Sequence, residues 1–437
     1  MKSRKVTSIW HHHISARDAY PELEGLQRYD FAVVGGGLTG ISSAYHLRRK
    51  FPDASIVLLE ASLLGSGASG RSGGQALNWL AGIQRGNLET ARKSYGVTQV
   101  GFETAAAMAR TVGAEHTLTI DGALELYTSP KRFEAAKREA DRLRQAGIEL
   151  SVLSQPELNG FLAAEGIYGG VLDPKAGQLD ALRLIEAAAK WLTSHDVRIF
   201  ENSPVLSVAE NGPVNIRLGR GGIIAEKIVL AVNAALPTLG YLRNRVFPLH
   251  SFVMSSDPHP PEFWRDHGLF RTVGFSDDSD RISYGCLTHR GEFVFGGGSN
   301  SSYRYLFGNN MNFPGDGARA FRAIRQKMTG YLPGLQTVNF PHRWSGVLDL
   351  TFDRSCSIGA IGGSSRIFFA AGFSGHGLIL TNLAGRVIAD LIGGEDDRWR
   401  NEIFYNRRLR YIPPEPLRWV GYHIFTTLTG KSPRRNS

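Results

Sequence analysis

Residues 31–40 read FAVVGGGLTG: four apolar residues run straight into glycines, with Gly35, Gly37 and Gly40 at G-x-G-x-x-G spacing. LTGISSAYHLRRKF follows, with Leu38, Ile41, Ala44 and Leu47 at helical spacing and Arg48, Arg49 and Lys50 in the last turn, where positive charge suits the helix dipole. SIVLLE then reads as a strand ending at Glu60. The pattern predicts strand, glycine turn, helix and strand, a unit that holds a dinucleotide. Gly35 makes the turn, Gly37 lets the backbone approach a pyrophosphate, and Gly40 permits close packing of helix on strand. The helix start at Leu38 and Thr39 offers N–H groups to phosphate, and Glu60, followed by Ala61, is placed to accept from a ribose hydroxyl.

NAD and FAD share this fingerprint, and two further stretches separate them. EASLLGSGASGRSGGQ, residues 60–75, is a Gly- and Ser-rich run with a single Arg71. It exposes many backbone N–H groups, of use to a flavin with its long ribityl diphosphate and ring. AAGFSGHGLILTNLAG, residues 370–385, is a second strand, glycine turn and helix. A second helix N-terminus aimed at the cofactor suits a reduced flavin, which carries negative charge on its pyrimidine side.

On these stretches the chain resembles the D-amino acid oxidase superfamily of FAD proteins, which includes glycine, sarcosine and γ-glutamylputrescine oxidases. The wording GASGRSGGQ is nearest to the γ-glutamylputrescine oxidase branch. The likeness runs from about residue 29 to about 395, through GGVLDPKAGQLDALRLIEAAA, SPVLSVAE and IVLAVNAALPTLG. It implies an α/β (α+β) fold: a Rossmann-like FAD-binding domain built from discontinuous segments, plus a mainly antiparallel-sheet substrate domain. The expected division is a polar leader at 1–28 and a cofactor domain at 29–100, 165–245 and 345–400. The substrate domain takes 101–164 and 246–344, and 401–437 forms an extension. The resemblance further implies that Ser69, Gly70, Arg71, Ser72, Gly73, Gly74 and Gln75 run near the flavin. Val205 and Asn233 lie on the nucleotide side, and Gly372, Gly375, His376, Gly377 and Leu378 meet the pyrimidine edge.

The bulk properties agree with a large cofactor enzyme. The chain has 437 residues, 42% of them hydrophobic, which favours two domains over one. Its 51 glycines call for many tight turns, and its +10 charge is dispersed apart from Lys2, Arg4 and Lys5 and Lys431, Arg434 and Arg435 at the two ends. No nucleic-acid module is visible, so no nucleic-acid partner is expected. The two cysteines, Cys286 and Cys356, fit neither a disulfide framework nor a metal site. No signal peptide and no spanning segment is present, so a cytoplasmic protein is expected. His11, His12 and His13 read as a surface arm. The last stretch, PLRWVGYHIFTTLTGKSPRRNS, mixes aromatic and basic groups. It reads as packed against the body, with a membrane-surface helix as the alternative.

The implied reaction is oxidation of a carbon–nitrogen bond of an amine or amino acid, by hydride transfer to flavin N5, imine hydrolysis and reoxidation by O2 giving H2O2. A dehydrogenase passing electrons to a quinone or carrier, and a non-catalytic flavin-binding accessory protein, are the alternatives; the oligomeric state stays open. Where sarcosine oxidase links its flavin to a Cys this chain has Gly346, and the loop GSGASGRSGG lacks the His that others use, so FAD is expected to be non-covalent. Where sarcosine oxidase holds the substrate carboxylate with a Lys, this chain has Ile379, which disfavours a small α-amino acid clamped there. NFPHRWSGVLDL supplies Arg343 and Trp344, which join His376 as candidate catalytic residues, and Trp79 and His250 are candidate pocket walls.

Overall fold

The computed structural model describes residues 8–83, 85–210 and 212–429. The basic clusters at Lys2, Arg4, Lys5, Lys431, Arg434 and Arg435 lie outside them.

The apolar run before the glycines forms the end of a long strand, Gly25–Val34. Its first half pairs in parallel with Gly221–Ala225, and its second half lies between Ile56–Leu59 and the end of Gly221–Leu230, again in parallel. Val197–Phe200 and Ile367–Ala371 extend the parallel set at either edge. A hairpin of Val205–Glu210 and Val214–Leu218, together with Ser357–Ala360, completes an eight-stranded sheet drawn from distant parts of the chain. Helices Leu38–Lys50, Leu88–Thr111, Ala181–Ser194 and Gly377–Ile392 bury their apolar faces on it around Val33, Ile41, Ile185 and Leu383.

The second sheet has nine strands and is antiparallel except where Gly274–Asp277 runs beside Ala123–Tyr127. Its longest pairing is at one edge, Phe247–Ser255 against His342–Leu350, matched along their whole length. Helix Ala318–Tyr331 covers one face through Phe321, Ile324 and Met328, packed on Phe252 and Phe295. The boundaries differ from the sequence reading: residues 101–111, expected in the substrate unit, lie in the helix packed on the first sheet. Gly169–Asp173, expected in the cofactor unit, pairs in this second sheet, as does the whole of His342–Leu350 past residue 345.

The N-terminal segment is a correction. Read as a surface arm, it instead forms a short turn of helix at Ile9–His12 with Ile9 and Trp10 buried. His13 is held between Asp180 (Nδ1 to Oδ2, 2.6 Å) and Glu292 (Nε2 to Oε1, 3.0 Å), its side chain only 2% exposed. Burying Ile9 alone contributes about 1.5–3 kcal/mol, so the segment is part of the core. His12 stays exposed, edge-on to His342.

Candidate functional site

The first glycine turn admits nothing larger than glycine at two positions. Gly35 has φ +110°, and a Cβ there would lie 2.4 Å from the Ala231 carbonyl oxygen. A Cβ on Gly40 would lie 1.8 Å from the carbonyl oxygen of Gly35. The helix that follows has Gly37 as its N-cap, so no local side chain caps it, and its first turn carries no acidic residue. One first-turn group is met from a distance: Leu38 N–H donates to Ser69 Oγ at 3.0 Å. Glu60 accepts from Gly36 N–H at 2.7 Å and from Ser62 N–H at 2.9 Å, one on each carboxylate oxygen. Burial pushes its carboxyl pKa up, against the pull of those two N–H groups. Each oxygen keeps a further acceptor position for ribose hydroxyls. Ala61 beside it is exposed, and Val205 is half-buried at the start of the sheet's hairpin.

The loop at 66–75 is pinned by its carbonyls. Those of Gly70, Arg71, Ser72 and Gly73 accept from Ser8 Oγ, Trp344 Nε1, Trp10 Nε1 and Cys286 Sγ respectively, and that of Gly74 from Leu179 N–H. Side chains from the N-terminal segment and the second sheet therefore fix one edge of the loop. The Ser72 and Gly73 N–H groups have no acceptor among the described residues, and half-buried backbone donors call for one. Arg71 donates only to the carbonyls of Ser66 (2.9 Å) and Ser345 (3.2 Å). Burial lowers its pKa, and no carboxylate among the described residues pairs with it. Gln75 is not available in the same way, since its amide is bonded to the carbonyls of Phe275 and Gly285 in the second sheet.

The second turn reaches the same place. Ser42 Oγ donates to the Asn382 carbonyl at 2.7 Å, and Gly385 packs its backbone on Ser42. The Leu38–Lys50 and Gly377–Ile392 helices thus cross about 6–8 Å along their axes from their own N-termini. The second helix has His376 at its N-cap with no side-chain cap bond and no acid in its first turn. Gly375 is exposed, and His376, Gly377 and Leu378 are half-buried. Gly372 is held by Asp349, a residue the sequence reading missed: its Oδ2 accepts from Gly372 N–H at 2.6 Å. Burial pushes this carboxyl up to about 6, while the backbone N–H groups of Gly372, Phe373 and Ser374 pull it down. Asp349 thereby sets the orientation of the turn. It sits two strand positions from Val347, whose carbonyl accepts from Asn233 Nδ2 at 2.9 Å.

The three candidate catalytic residues do not come together. Arg343 and Trp344 are adjacent on a strand and point to opposite faces. Trp344 is buried against the 66–75 loop, whereas Arg343 is exposed, over the Phe321 ring on the far side. Ile379 is buried against Gly101 of a neighbouring helix. His250 is buried and tied to the Asn310 carbonyl, and Trp79 packs on Tyr95 and under Arg85. The face of the second sheet turned to the loop carries instead Tyr284, whose ring lies against Gly73 and whose hydroxyl is 3.3 Å from Ser251 Oγ. Burial pushes the Tyr284 phenol up to about 12 and that of Tyr303 well above its ordinary value, with Arg354 and Arg281 close enough to Tyr303 to pull it back. No sequence motif marked these groups.

The DAO family model, FAD dependent oxidoreductase, matches residues 30–391. The chain belongs to this family. It is 27% identical to "Probable oxidoreductase OrdL" of Haemophilus influenzae, over 87% of this chain and 86% of that protein. It is 28% identical to the gamma-glutamylputrescine oxidoreductase of Escherichia coli, over 85% of each. The crystal structure of glycine oxidase from Geobacillus kaustophilus matches the fold with a TM-score of 0.74 at 20% identity, covering 88% of this chain and 99% of that one. FAD fits the residues present: two helix starts without a local cap, unpaired N–H groups at Ser72 and Gly73, and a desolvated Arg71 are donors in search of an anionic acceptor. Among the described residues no helix is long and apolar enough to cross a membrane, and no group of three or more His, Cys, Asp or Glu could hold a metal ion.

Proposed function

We propose that the chain oxidises a carbon–nitrogen bond of an amine or amino acid and returns the electrons to O2. Non-covalently bound FAD would supply the hydride acceptor at N5. After hydrolysis of the imine, one substrate amine, one O2 and one water become a carbonyl compound, a released amine or ammonia, and one hydrogen peroxide. The protein's part is placement. Gly37, Leu38 and Thr39 hold the diphosphate, Glu60 the ribose, the Ser72 and Gly73 N–H groups with Arg71 the flavin, and the turn from Gly375 to Leu378 its pyrimidine edge. Trp344 and Tyr284 wall the substrate side and exclude water, and burial there lowers the amine's pKa, keeping the reactive neutral form populated. Cys356 is buried, its thiol pushed up to about 12 by burial, so it is not the thiolate that a covalent link to flavin needs. The two cysteines are free and buried, which suits the reducing cytoplasm we propose.

The observation that carries this reading is the pair of crossing helices whose uncapped N-termini flank the pinned loop. With Ile379 turned into the core and Arg343 outward, the favoured substrate is an amine whose carboxylate, where it has one, lies away from the reacting carbon. The Escherichia coli relative's printed name accords with that class. Anaerobic mixing with polyamines, N-methylated amines and D-amino acids tests it. Bleaching of the flavin absorbance by at least one amine is expected, with one peroxide per turnover on admitting air. A coloured protein that no amine reduces would leave only the accessory reading.

A second reading, electron transfer to a quinone, is favoured by the helix Leu417–Thr429. Arg418, Tyr422 and Thr426 face the body, while Leu417, Trp419, Val420 and Ile424 are exposed. Peroxide near zero together with quinone reduction would select it.

A further inference from the structure

The two crossing helices and Leu88–Thr111 enclose a second opening, at the end away from the flavin. His46 lies about 12 Å along its helix from Leu38. The cleft has a volume of about 440 Å³, lined by Tyr45, His46, Arg49, Glu103, Arg110 and Arg386 among others. A cavity of this size accommodates a small molecule.

Its charges are unbalanced. Lys50, at the rim, is neutralised by Asp390 (2.8 Å) and Glu395 (2.7 Å). Arg49 donates only to the Tyr45 hydroxyl (3.2 Å), and Arg386 reaches the Thr104 hydroxyl at 3.5 Å. Neither of these arginines, nor Arg110, forms an ion pair with a carboxylate among the described residues. Among the described residues Glu103 is the one acid lining the cleft, facing three guanidinium groups. His46 is half-buried, and its buried Nε2 has no hydrogen-bond partner among the described residues. Burial, then Arg386 and Arg49, push the His46 pKa down to about 3, so the ring is neutral at physiological pH. Arg386 is itself held down by burial and by Arg398, with Asp390 and Glu103 pulling the other way. Arg386 is half-buried, while Arg49 and Arg110 stand exposed at the opening, so an anion entering the cleft meets three cations and an imidazole whose buried Nε2 lacks a partner among the described residues.

We propose that this cleft is a second binding site, for a phosphate group, separate from the site of amine oxidation. Guanidinium forks match tetrahedral oxyanions in a bidentate manner, and the imidazole adds one neutral hydrogen bond. The phosphate is either free or carried on a small metabolite, and the experiment separates the two.

The flavin-loaded protein is titrated calorimetrically with inorganic phosphate, pyrophosphate and glucose 6-phosphate, ionic strength being balanced with chloride. A saturable isotherm is expected for at least one of them. Arg386→Gln should weaken it about tenfold or more, the loss of one charge-assisted bond, and Arg110→Gln should weaken it independently. Arg386→Lys should recover part of the affinity, because charge remains without the fork. Tighter binding of glucose 6-phosphate than of inorganic phosphate assigns a carried phosphate, and the reverse a free one. The flavin spectrum of every variant should match that of the parent, so the result does not depend on the reaction proposed above. Heats indistinguishable from chloride, or unchanged binding in both glutamine variants, would overturn the proposal. If Arg386→Gln does not fold, Arg110→Gln and Arg49→Gln decide.

Discussion

Three helices away from the cofactor cleft begin differently from the two that cross beneath it. Asn87 accepts from Thr90 N–H, Ser129 from Arg132 N–H and Asp180 from Arg183 N–H, each closing its own helix start with a local side chain. The helices beginning at Leu38 and Gly377 have Gly37 and His376 there, with no side-chain cap bond. A local cap contributes about 1 kcal/mol, and the N-caps Gly37, His376 and Gly317 all lack a side-chain cap bond, but at Gly317 the neighbouring Asp316 Oδ1 accepts from Ala318 N–H at 2.9 Å. At the two starts beside the 66–75 loop no acid stands in the first turn, and the diphosphate and flavin of FAD are the groups we propose for them.

The comparison is broken most severely by Gly40→Ala. The added Cβ would collide with the Gly35 carbonyl, so helix and strand must part. A loss of about 3 kcal/mol or more is expected, with little FAD retained on purification, read from the ratio of flavin to protein absorbance. Next in size is Asp349→Asn. It replaces a carboxylate accepting from the second turn by an amide that is half donor, at a cost of about 1.5–3 kcal/mol, and FAD affinity should fall about tenfold or more. The variant also carries a pH signature. The folded pKa of Asp349 lies above that of a free carboxyl, at about 6. Its contribution to stability is therefore fully present below the unfolded value and declines as pH rises through the folded one. Thermal unfolding of the parent should show that decline and the Asn variant should not.

Ser129→Ala sharpens the contrast from the capped side. It should cost about 1 kcal/mol and leave FAD retention unchanged, as seen by unfolding with and without added FAD. The smallest effect concerns His13. Burial pulls its pKa down, and the bonds to Asp180 and Glu292 more than reverse this, so the folded value is raised. That stabilisation is complete below the unfolded value of about 6.5 and is lost as pH rises through the folded one. Amide exchange in residues 8–13 should accelerate over that range while the rest of the core holds.

What was legible from sequence follows the same line. The first turn could be read because its signals are local: an apolar run, glycines at fixed spacing, a helical stripe and an acid at the next strand end. Glu60 could be named, but its bonds to Gly36 and Ser62 could not. Trp10 looked like part of a polar leader because its acceptor, Ser72, and the His13 partners, Asp180 and Glu292, are far along the chain. Arg343 and Trp344 looked equivalent until pairing with Met254 and Val253 fixed which faced the loop. Asp349 carries no motif. Its role exists only because a strand of the second sheet passes behind the turn at Gly372.

One bound FAD is proposed to complete both helix starts beside the loop, which lack an N-cap side chain, Leu38 N–H of the first being met by Ser69. Hydrogen–deuterium exchange on protein stripped of cofactor and then reloaded tests it directly. Uptake of one FAD per chain is expected, with slowed exchange at 37–41, at 72–73 and at 375–379 together, and no change at the starts capped by Ser129 and Asp180. Protein that takes up no FAD, or that gains protection at only one of the two turns, would contradict it.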